Sequence, residues 1–301
     1  MAEPSIGRPA PGPILVVGAA SRDLDPTDVR GWRLGGTVCY ASLTAARLGV
    51  PVRALVGADD EASTAAEFDV LRAAGAEVEI VPLQRGPVFE NRQAPAGRTQ
   101  IAHQTCDPLP AAALPIGWRD SATVLLGPVA GEIGSEWAAA FHPDAFVALA
   151  WQGRLRELFG GEEIRRAPLS RGPLVERANA LFVSAEDVRW SQAVLAELVR
   201  SDQALFVTHG GHGAVLLRSK GGRYLPPLPR RAAVDPTGAG DVSIAAWLAA
   251  RALAPDAKDW QQLAVAAAMA SLSVEARTLS ELPGRRELCE VFLRLRGSLR
   301  G

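Results

Sequence analysis

The sequence predicts an α/β fold, a doubly wound and mostly parallel sheet sandwiched by helices, with a small β lid. Short apolar runs typical of buried strands recur along the chain, helix-length segments separate many of them, and one stretch instead alternates polar and apolar residues. Strands that alternate with helices form a parallel sheet covered on both faces. With 301 residues, 48% of them hydrophobic, we expect one domain over residues 1–301.

The candidate strands are short apolar runs, most of them continuous. They lie at residues 14–18, 52–57, 78–83, 123–127, 146–150, 180–184, 204–208 and 214–218. The helix-length segments, several bounded by Gly or Pro as helix ends require, lie at residues 38–48, 61–74, 191–200, 240–253, 258–275 and 285–295. No repeat of fixed period and no low-complexity linker divides the chain.

A stretch near residue 90 has a different pattern. Two segments of alternating polarity, residues 88–92 and 99–104, flank the turn-rich residues 93–98, which predicts a hairpin. We expect residues 85–104 and 22–34 to form a lid that closes over a bound substrate and excludes water. The exposed strand edges of such a lid would allow two copies of the chain to pair as a homodimer.

Composition excludes several classes of function. Lys and Arg total 32 against 33 Asp and Glu, so the net charge of -1 gives no general attraction for nucleic acid or an anionic membrane. The apolar runs are shorter than the roughly 18 residues of a membrane span, and the N-terminus lacks the layout of a signal peptide. The three cysteines and four histidines show no disulfide framework or zinc motif. We therefore expect a cytoplasmic protein that acts on a small molecule.

The sharpest chemical feature is the run Asp-Pro-Thr-Gly-Ala-Gly-Asp at residues 235–241, directly before an apolar helix. Small residues let backbone N–H groups converge at a helix N-terminus, where a phosphate binds readily. A carboxylate at Asp241 is placed to take a proton from an acceptor hydroxyl during phosphoryl transfer. A plain helix cap by Thr237 or Asp241 is the alternative that the local pattern leaves open. The candidate catalytic residues are Asp241, Gly238, Ala239 and Gly240.

This run resembles the C-terminal signature of the ribokinase-like (PfkB) carbohydrate kinases, Asp-x-Thr-Gly-Ala-Gly-Asp, at each defining position. The resemblance implies that Asp241 is the general base, that residues 238–240 form an anion hole and that Thr237 contacts the nucleotide. It also implies ATP as the phosphoryl donor and Mg²⁺ as a cofactor. Asp235 lies in the loop that in several relatives borders a monovalent cation, so K⁺ is a further candidate cofactor and Asp235 a candidate ligand.

Residues near the N-terminus resemble the acceptor-binding motifs of the same family. Asp23 follows the first strand, as in relatives where an Asp binds substrate hydroxyls. Gly35 and Gly36 resemble the paired-glycine motif, in which the backbone approaches the substrate and no Cβ atom is tolerated. Tyr40 stands where the motif usually has Asn, and residues 56–59 resemble a Val-Gly-x-Asp segment that an ordinary strand-end turn explains equally well.

The run Thr-His-Gly-Gly-His-Gly at residues 208–213 resembles the Thr-x-Gly-x-x-Gly turn that approaches ATP in the family. The residues that this turn implies for ATP are Thr208, Gly210 and Gly213. The family's Asn-x-x-Glu motif, which organises Mg²⁺ through water, appears only as Ser184-Ala-Glu-Asp187. Mg²⁺ accepts a site of one or two carboxylates, waters and phosphates, so Glu186 and Asp187 are metal candidates, with Asp187 favoured by spacing. The alternative is an acidic pair that caps the next helix.

Two runs resemble the myo-inositol kinase branch of the family, namely Glu-Asn-Arg at residues 90–92 and Gln-Gly-x-x-Arg at residues 152–156. A polyol ring needs many hydrogen-bond donors and acceptors around it. The side chains placed to supply them are Asp23, Asn91, Arg92, Gln152 and Arg156. A solvated hairpin and a polar loop explain the same residues, and a nucleoside or a furanose sugar is the alternative acceptor.

Other nucleotide-binding classes fit less well. The first strand is followed by no G-x-G-x-x-G turn, which argues against a dehydrogenase, and neither Lys220 nor Lys258 stands in a P-loop run. Positive charge for phosphoryl transfer must then come from backbone dipoles, Mg²⁺ and arginines. A non-catalytic, nucleotide-binding regulatory homologue remains open, because Ser184 replaces the motif's Asn although Asp241 is intact.

Overall fold

The computed structural model describes residues 12–94, 97–168, 171–188, 200, 202–218, 221–226 and 233–298. The strands are β1 (Ile14–Ala19), β2 (Ser21–Leu24), β3 (Trp32–Gly35), β4 (Val52–Ala58), β5 (Ala76–Pro82), β6 (Val88–Ala94), β7 (Gly97–Gln104), β8 (Thr123–Leu126), β9 (Phe146–Ala150), β10 (Arg156–Glu157), β11 (Glu162–Glu163), β12 (Arg165–Arg166), β13 (Ala180–Ser184), β14 (Ala204–Thr208), β15 (Ala214–Arg218) and β16 (Gly221–Leu225). The α-helices are α1 (Thr37–Arg47), α2 (Asp60–Ser63), α3 (Glu67–Ala73), α4 (Pro173–Arg177), α5 (Ala239–Leu253), α6 (Asp259–Ser273) and α7 (Arg285–Ser298).

A nine-stranded sheet forms the centre of the molecule, in the order β16-β15-β14-β13-β9-β8-β1-β4-β5. Its strands from β14 to β5 are parallel to their neighbours, and β15 and β16 complete one edge in antiparallel pairs. Every residue of β1 is buried, as expected for a strand covered by helices on both faces. The predicted fold class, a mostly parallel α/β sheet with helices, is confirmed.

Some elements of the structure differ from the prediction. The helix expected at residues 61–74 is two helices, α2 and α3, and Asp59 caps the first of them by accepting a hydrogen bond from the Ala62 N–H at 2.9 Å. Strand β16 was not predicted, because its two glycines and mostly exposed residues carry no apolar signal. The helix expected at residues 191–200 lies outside the described residues except for Arg200.

A second sheet has five strands in the order β11-β7-β6-β2-β3. The β6–β7 hairpin is present as expected, and residues 22–34 contribute the antiparallel pair β2–β3. Strand β2 runs parallel to β6 and joins the two pairs, while β11 adds to the other edge. We call this sheet the lid.

Aromatic packing fixes helix α5 against the central sheet. The Trp247 ring contacts the rings of Phe146, Phe182 and Phe206, with centroids 6.0, 5.5 and 4.6 Å away. These three side chains come from β9, β13 and β14, so the helix lies across the middle of the sheet. Among the described helices, none has the length and apolar character of a membrane span.

Candidate active site

A cavity of about 570 Å³ lies between the lid and the ends of the central strands. The lid contributes Asp23 from β2 and Phe89 from β6. The body contributes Gln152 after β9, Ser184 at the end of β13 and Asp241 in the first turn of α5. Ligands of open α/β sheets bind at the carboxyl ends of the strands, so this cavity is the candidate active site.

Asp241 is half-buried at the N-terminus of α5 and lines the cavity. The Thr37 hydroxyl, in the first turn of α1, donates to Asp241 Oδ1 at 2.7 Å. Burial raises the pKa of Asp241 to about 6, although the Thr37 hydrogen bond and the positive charge of Arg156 oppose the rise. The group is therefore ionised at neutral pH and has a basicity suited to general-base catalysis.

The loop before α5 has the compact turn that the glycines predict. Gly238 has φ +77°, and a Cβ atom there would lie 2.4 Å from the Tyr40 ring. The Ala239 N–H donates to the Pro236 carbonyl oxygen at 3.2 Å, so it closes the turn. The Gly240 N–H lies in the first turn of the helix, where no intrahelical acceptor exists. Gly238 and Gly240 are thus better placed than Ala239 to donate to an anion.

The acceptor side of the cavity is built on the paired glycines. Asp23 Oδ1 accepts a hydrogen bond from the Ser21 hydroxyl at 2.9 Å. A Cβ atom at Gly35 would lie 2.5 Å from Asp23 Oδ2, and one at Gly36, where φ is +96°, would lie 2.4 Å from the Ala19 carbonyl oxygen. The two glycines therefore allow β3 and the start of α1 to pack against Asp23 and the end of β1.

The structure separates the two hairpin residues expected to bind substrate. Asn91 shares a face of β6 with Phe89, and Asn91 Oδ1 accepts a hydrogen bond from the amide of Gln100, which lines the cavity, at 3.0 Å. Arg92 is exposed on the other face and pairs with Glu90 at 2.6 Å. Arg92 does not line the cavity, because successive side chains of a strand point to opposite faces. Its contact with substrate stays a prediction.

Arginines line the cavity beside Asp241. Arg156 of β10 and Arg166 of β12 are register partners in a two-stranded ribbon, and Arg165 lines the cavity as well. Arg156 Nη2 lies 3.7 Å from Asp187 Oδ1. The sequence indicated Arg156 but gave no signal for Arg165 or Arg166, because strands of two residues are too short to show a period.

The two metal candidates after β13 both line the cavity. Ser184 shapes their turn, since its hydroxyl accepts from the Glu186 N–H at 3.2 Å and its carbonyl accepts from the Asp187 N–H at 3.0 Å. Asp187 Oδ2 is buried and has no hydrogen-bond partner among the described residues. A carboxylate with an open lone pair fits a water-mediated Mg²⁺ contact. No cluster of three or more His, Cys, Asp or Glu side chains that could hold a metal occurs in the described part of the chain.

Asp235, the third metal candidate, lies outside this cavity. Its Oδ2 atom is 3.2 Å from Arg33 Nη2, and its Oδ1 atom accepts from the Thr237 N–H at 2.9 Å. Asp235 therefore contacts a guanidinium and its own loop. Thr237, expected at the nucleotide, does line the cavity.

Of the residues expected to contact ATP, Thr208 is paired with a residue that lines the cavity. Thr208 ends β14 and is the register partner of Ser184 on β13. In the turn that follows, the His209 N–H donates to the Gly213 carbonyl oxygen at 2.8 Å, and Gly210 has a φ of +51°. Thr208, Gly210 and Gly213 are not among the residues that line the cavity, so their contact with ATP stays a prediction.

Glu132 is a buried carboxylate that the sequence did not single out. It accepts hydrogen bonds from the N–H groups of Ala19 and Ala130, each at 2.9 Å, and of Val129 at 3.1 Å. Burial raises the pKa of Glu132, although these backbone bonds oppose the rise. Glu132 thereby fixes the loop that brings Val129 to the cavity wall. One of its donors, the Ala19 N–H, is 113 residues away in the sequence, so only the fold reveals that Glu132 joins this loop to the end of β1.

Solved structures share this architecture. A pyrophosphate-dependent kinase of the ribokinase family, solved with a pyrophosphate analogue and myo-inositol, is 18% identical, with a TM-score of 0.73 over 92% of this chain and 99% of that one. Aminoimidazole riboside kinase from Salmonella enterica is 20% identical, with a TM-score of 0.68 over 93% of this chain and 99% of that one. Ribokinase from Arabidopsis thaliana is 18% identical, with a TM-score of 0.66 over 94% of this chain and 99% of that one. The fold is therefore ribokinase-like.

Sequence comparison finds a family model that matches part of the chain. Residues 176–283 match the family model of the pfkB family carbohydrate kinases, and this segment contains both Asp241 and the turn at residues 208–213. The resemblance inferred from the motifs is thus confirmed, and the same match supports the expected enzyme class, a phosphotransferase with an alcohol group as acceptor. Comparison with curated protein sequences gives no significant match.

Proposed function

We propose that this chain transfers the γ-phosphoryl group of ATP to one hydroxyl of a small polyol, with myo-inositol as the favoured acceptor. One observation carries the proposal. Asp241, a carboxylate of raised pKa at a helix N-terminus, lines the same cavity as Asp23 on the lid. A general base and an acceptor-binding carboxylate on opposite sides of one cavity suit transfer to a hydroxyl group.

Different residues carry out different parts of the proposed reaction. Asp241 takes the proton of the acceptor hydroxyl as the oxygen attacks the γ-phosphorus, and the N–H groups of Gly238 and Gly240 bind the transferred group. Arg156 adds positive charge beside Asp241. Mg²⁺, held through Asp187 and water, would supply charge neutralisation to the nucleotide phosphates. The lid excludes water that would otherwise compete as the nucleophile.

The lining of the cavity supports a polyol acceptor. Polar side chains from both sides, among them Asp23, Gln100 and Gln152, can hydrogen-bond to several hydroxyls. Phe89 and Val129 offer apolar surface for the C–H groups of a ring. A neighbour of the same fold was solved with myo-inositol, which supports a cyclic polyol as one candidate acceptor, while neighbours of the same fold solved with a riboside and with ribose support the nucleoside and furanose alternatives.

A second donor, pyrophosphate, is favoured by one specific observation. Arg156, Arg165 and Arg166 line the cavity that holds Asp241, and such a cluster suits a compact polyanion without a base or ribose. Three of the similar solved structures are described as pyrophosphate-dependent kinases. The acceptor chemistry at Asp241 would be the same with either donor.

The test crosses acceptors with donors in the presence of Mg²⁺, and product is detected by ³¹P NMR. The acceptors are myo-inositol and its isomers, ribose, fructose, adenosine and cytidine, and the donors are ATP and pyrophosphate. We expect phosphorylated myo-inositol with ATP, and loss of product in the Asp241→Asn variant. Turnover of a nucleoside or a furanose alone would show that myo-inositol is not the acceptor. Turnover with pyrophosphate alone would show that ATP is not the donor. Bound ATP without turnover of any acceptor would identify a non-catalytic regulatory homologue.

A further inference from the structure

A guanidinium outside the cavity joins three separate parts of the molecule. Arg33 lies on lid strand β3. Its Nε atom is 2.7 Å from Asp25 Oδ2, and its Nη2 atom is 3.2 Å from Asp235 Oδ2. Its Nη1 also donates to the carbonyl oxygen of Arg277, in the segment after α6. One side chain of the lid thus contacts the loop that precedes Asp241 and the segment beneath that loop.

The contact continues from Asp235 into the active site. Asp235 Oδ1 accepts from the Thr237 N–H at 2.9 Å, and Thr237 and Gly238 both line the catalytic cavity. The N–H of Val234 donates to the Val274 carbonyl oxygen at 2.7 Å, which fixes the other end of the loop to α6. A change in the position of Asp235 would therefore move the residues that precede the anion-binding amides.

A positive charge stabilises the oxygen atoms that surround Arg33. The carboxylates of Asp25 and Asp235 and the carbonyl of Arg277 all approach the same guanidinium. Without a cation the two carboxylates would repel each other, and the resulting displacement of Asp235 would loosen the loop. An arginine suits this position because its planar fork can satisfy several oxygens at once and stays charged at every physiological pH.

We infer that Arg33 is a positioning residue for phosphoryl transfer: its guanidinium is a built-in cation that holds residues 235–238 in their anion-binding conformation and couples that loop to the lid. The inference rests on the proposed function for its kinetic consequence. Since Arg33 already supplies the charge, the wild-type enzyme gains nothing from added K⁺. Removal of the side chain leaves oxygens around a second cavity, of about 460 Å³, which a small cation can enter.

The test is Arg33→Ala, with Arg30→Ala as the matched control. Both side chains are 30% exposed, and Arg30 pairs with Asp28 and Glu67 rather than with the loop. We expect Arg33→Ala to lower kcat about 100-fold with little change in the KM for the acceptor, because the anion-binding geometry is lost while the acceptor site remains. Millimolar guanidinium chloride should restore part of the kcat of Arg33→Ala and leave Arg30→Ala unaffected.

A second readout does not require turnover. Hydrogen–deuterium exchange of the Thr237 amide, which Asp235 protects, should be faster in Arg33→Ala and unchanged in Arg30→Ala. An unchanged exchange rate in Arg33→Ala overturns the inference, whatever happens to kcat, and so does wild-type activity that depends on K⁺. If the wild type phosphorylates no acceptor, the proposed function fails, and the exchange comparison alone decides the role of Arg33.

Discussion

Position and burial act in opposite directions on the pKa of Asp241, the proposed general base. A helix N-terminus stabilises a carboxylate by about 0.3–1 kcal/mol at exposed sites, which alone would lower its pKa. Enclosure by the lid and the body acts in the opposite direction and is the larger effect, so the pKa is about 6. A carboxyl group at its ordinary pKa would accept a proton less readily, and one with a much higher pKa would already be protonated at neutral pH.

We expect the Thr37 hydroxyl to influence the pH dependence of the proposed reaction through its hydrogen bond to Asp241. Because the base must be ionised, kcat/KM should fall tenfold per pH unit below about 6 in the wild type. In Thr37→Val the carboxylate loses a hydrogen bond of 2.7 Å that favours its charged form, so its pKa rises further. We expect the acid limb of the kcat/KM profile to move to higher pH by roughly one unit.

Thr44→Val is the control for this shift. Thr44 is also buried in α1, but its hydroxyl has no hydrogen-bond partner among the described residues. The same exchange of Thr for Val there should leave the pH profile in place. An acid limb that does not move in Thr37→Val, or that moves equally in both variants, would show that Thr37 does not tune the base.

The sequence predicted Asp241 and Gly238 from a glycine-rich loop that precedes a helix, and Asp23 from a resemblance to the family. It did not predict Thr37 or Glu132. Thr37 is 204 residues from Asp241, and Glu132 is 113 residues from Ala19, whose N–H it binds. Long-range partners of this kind carry no local pattern.

The loop before α5 depends on Gly238. With φ at +77° and the Tyr40 ring 2.4 Å from the position of a Cβ atom, Gly238→Ala must shift the turn. We expect kcat to fall about 100-fold, because the anion-binding amides move relative to Asp241. Kinetics together with a thermal melt measure this, since the loop should lose function while the sheet and helices remain folded.

Gly75→Ala provides the comparison for backbone strain alone. Gly75 lies between α3 and β5 with φ +98°, and a Cβ atom there would meet nothing within 4 Å. It should lose only the roughly 1–2 kcal/mol of a residue forced to positive φ, with kcat unchanged. Equal kinetic effects of the two substitutions would mean that the position of Gly238 against Tyr40 is irrelevant to transfer.

The elements themselves were predictable to different degrees. The parallel strands were found because buried runs such as β1 and β13 are continuously apolar. Strands β2 and β3 have four residues each, too few to show alternation, and were expected only as part of the lid. Period-two alternation in the sequence already places Arg92 on the same face as Glu90 and away from Phe89.

At the scale of the whole molecule, the active site exists only where two sheets meet. Its residues come from the lid and from the ends of the central strands, so a ligand must contact both. Binding of the acceptor should therefore slow amide exchange in β6 and β7, because a filled cavity stabilises the closed lid. Hydrogen–deuterium exchange with and without the acceptor measures this.

Helix α4, which does not line the cavity, is the internal reference for that experiment. Its exchange should not change when the acceptor is added. Protection of α4 as strong as that of the hairpin would indicate general stabilisation, and the absence of any protection in β6 and β7 would show that the lid does not close over the acceptor. Pairing of two lids in a homodimer remains a prediction for the same sheet.

The fold class followed from the alternation of strands and helices, and the site followed from the rule that ligands bind where parallel strands end. The identity of the acceptor did not follow in the same way. It depends on side chains such as Gln100 and Gln152, whose placement is set by the packing of the lid on the body. Solved neighbours at 17–20% identity share the fold but include inositol, riboside and ribose kinases.

The rate of the chemical step in Asp241→Asn shows whether Asp241 takes the proton of the acceptor hydroxyl. Single-turnover rates and ATP dissociation constants are compared for the wild type and Asp241→Asn, which keeps the shape of the side chain and removes the base. We predict a rate lower by about 10²–10⁴-fold with ATP affinity nearly unchanged, since the base acts only in the chemical step. A single-turnover rate in Asp241→Asn equal to that of the wild type would show that Asp241 is not the general base.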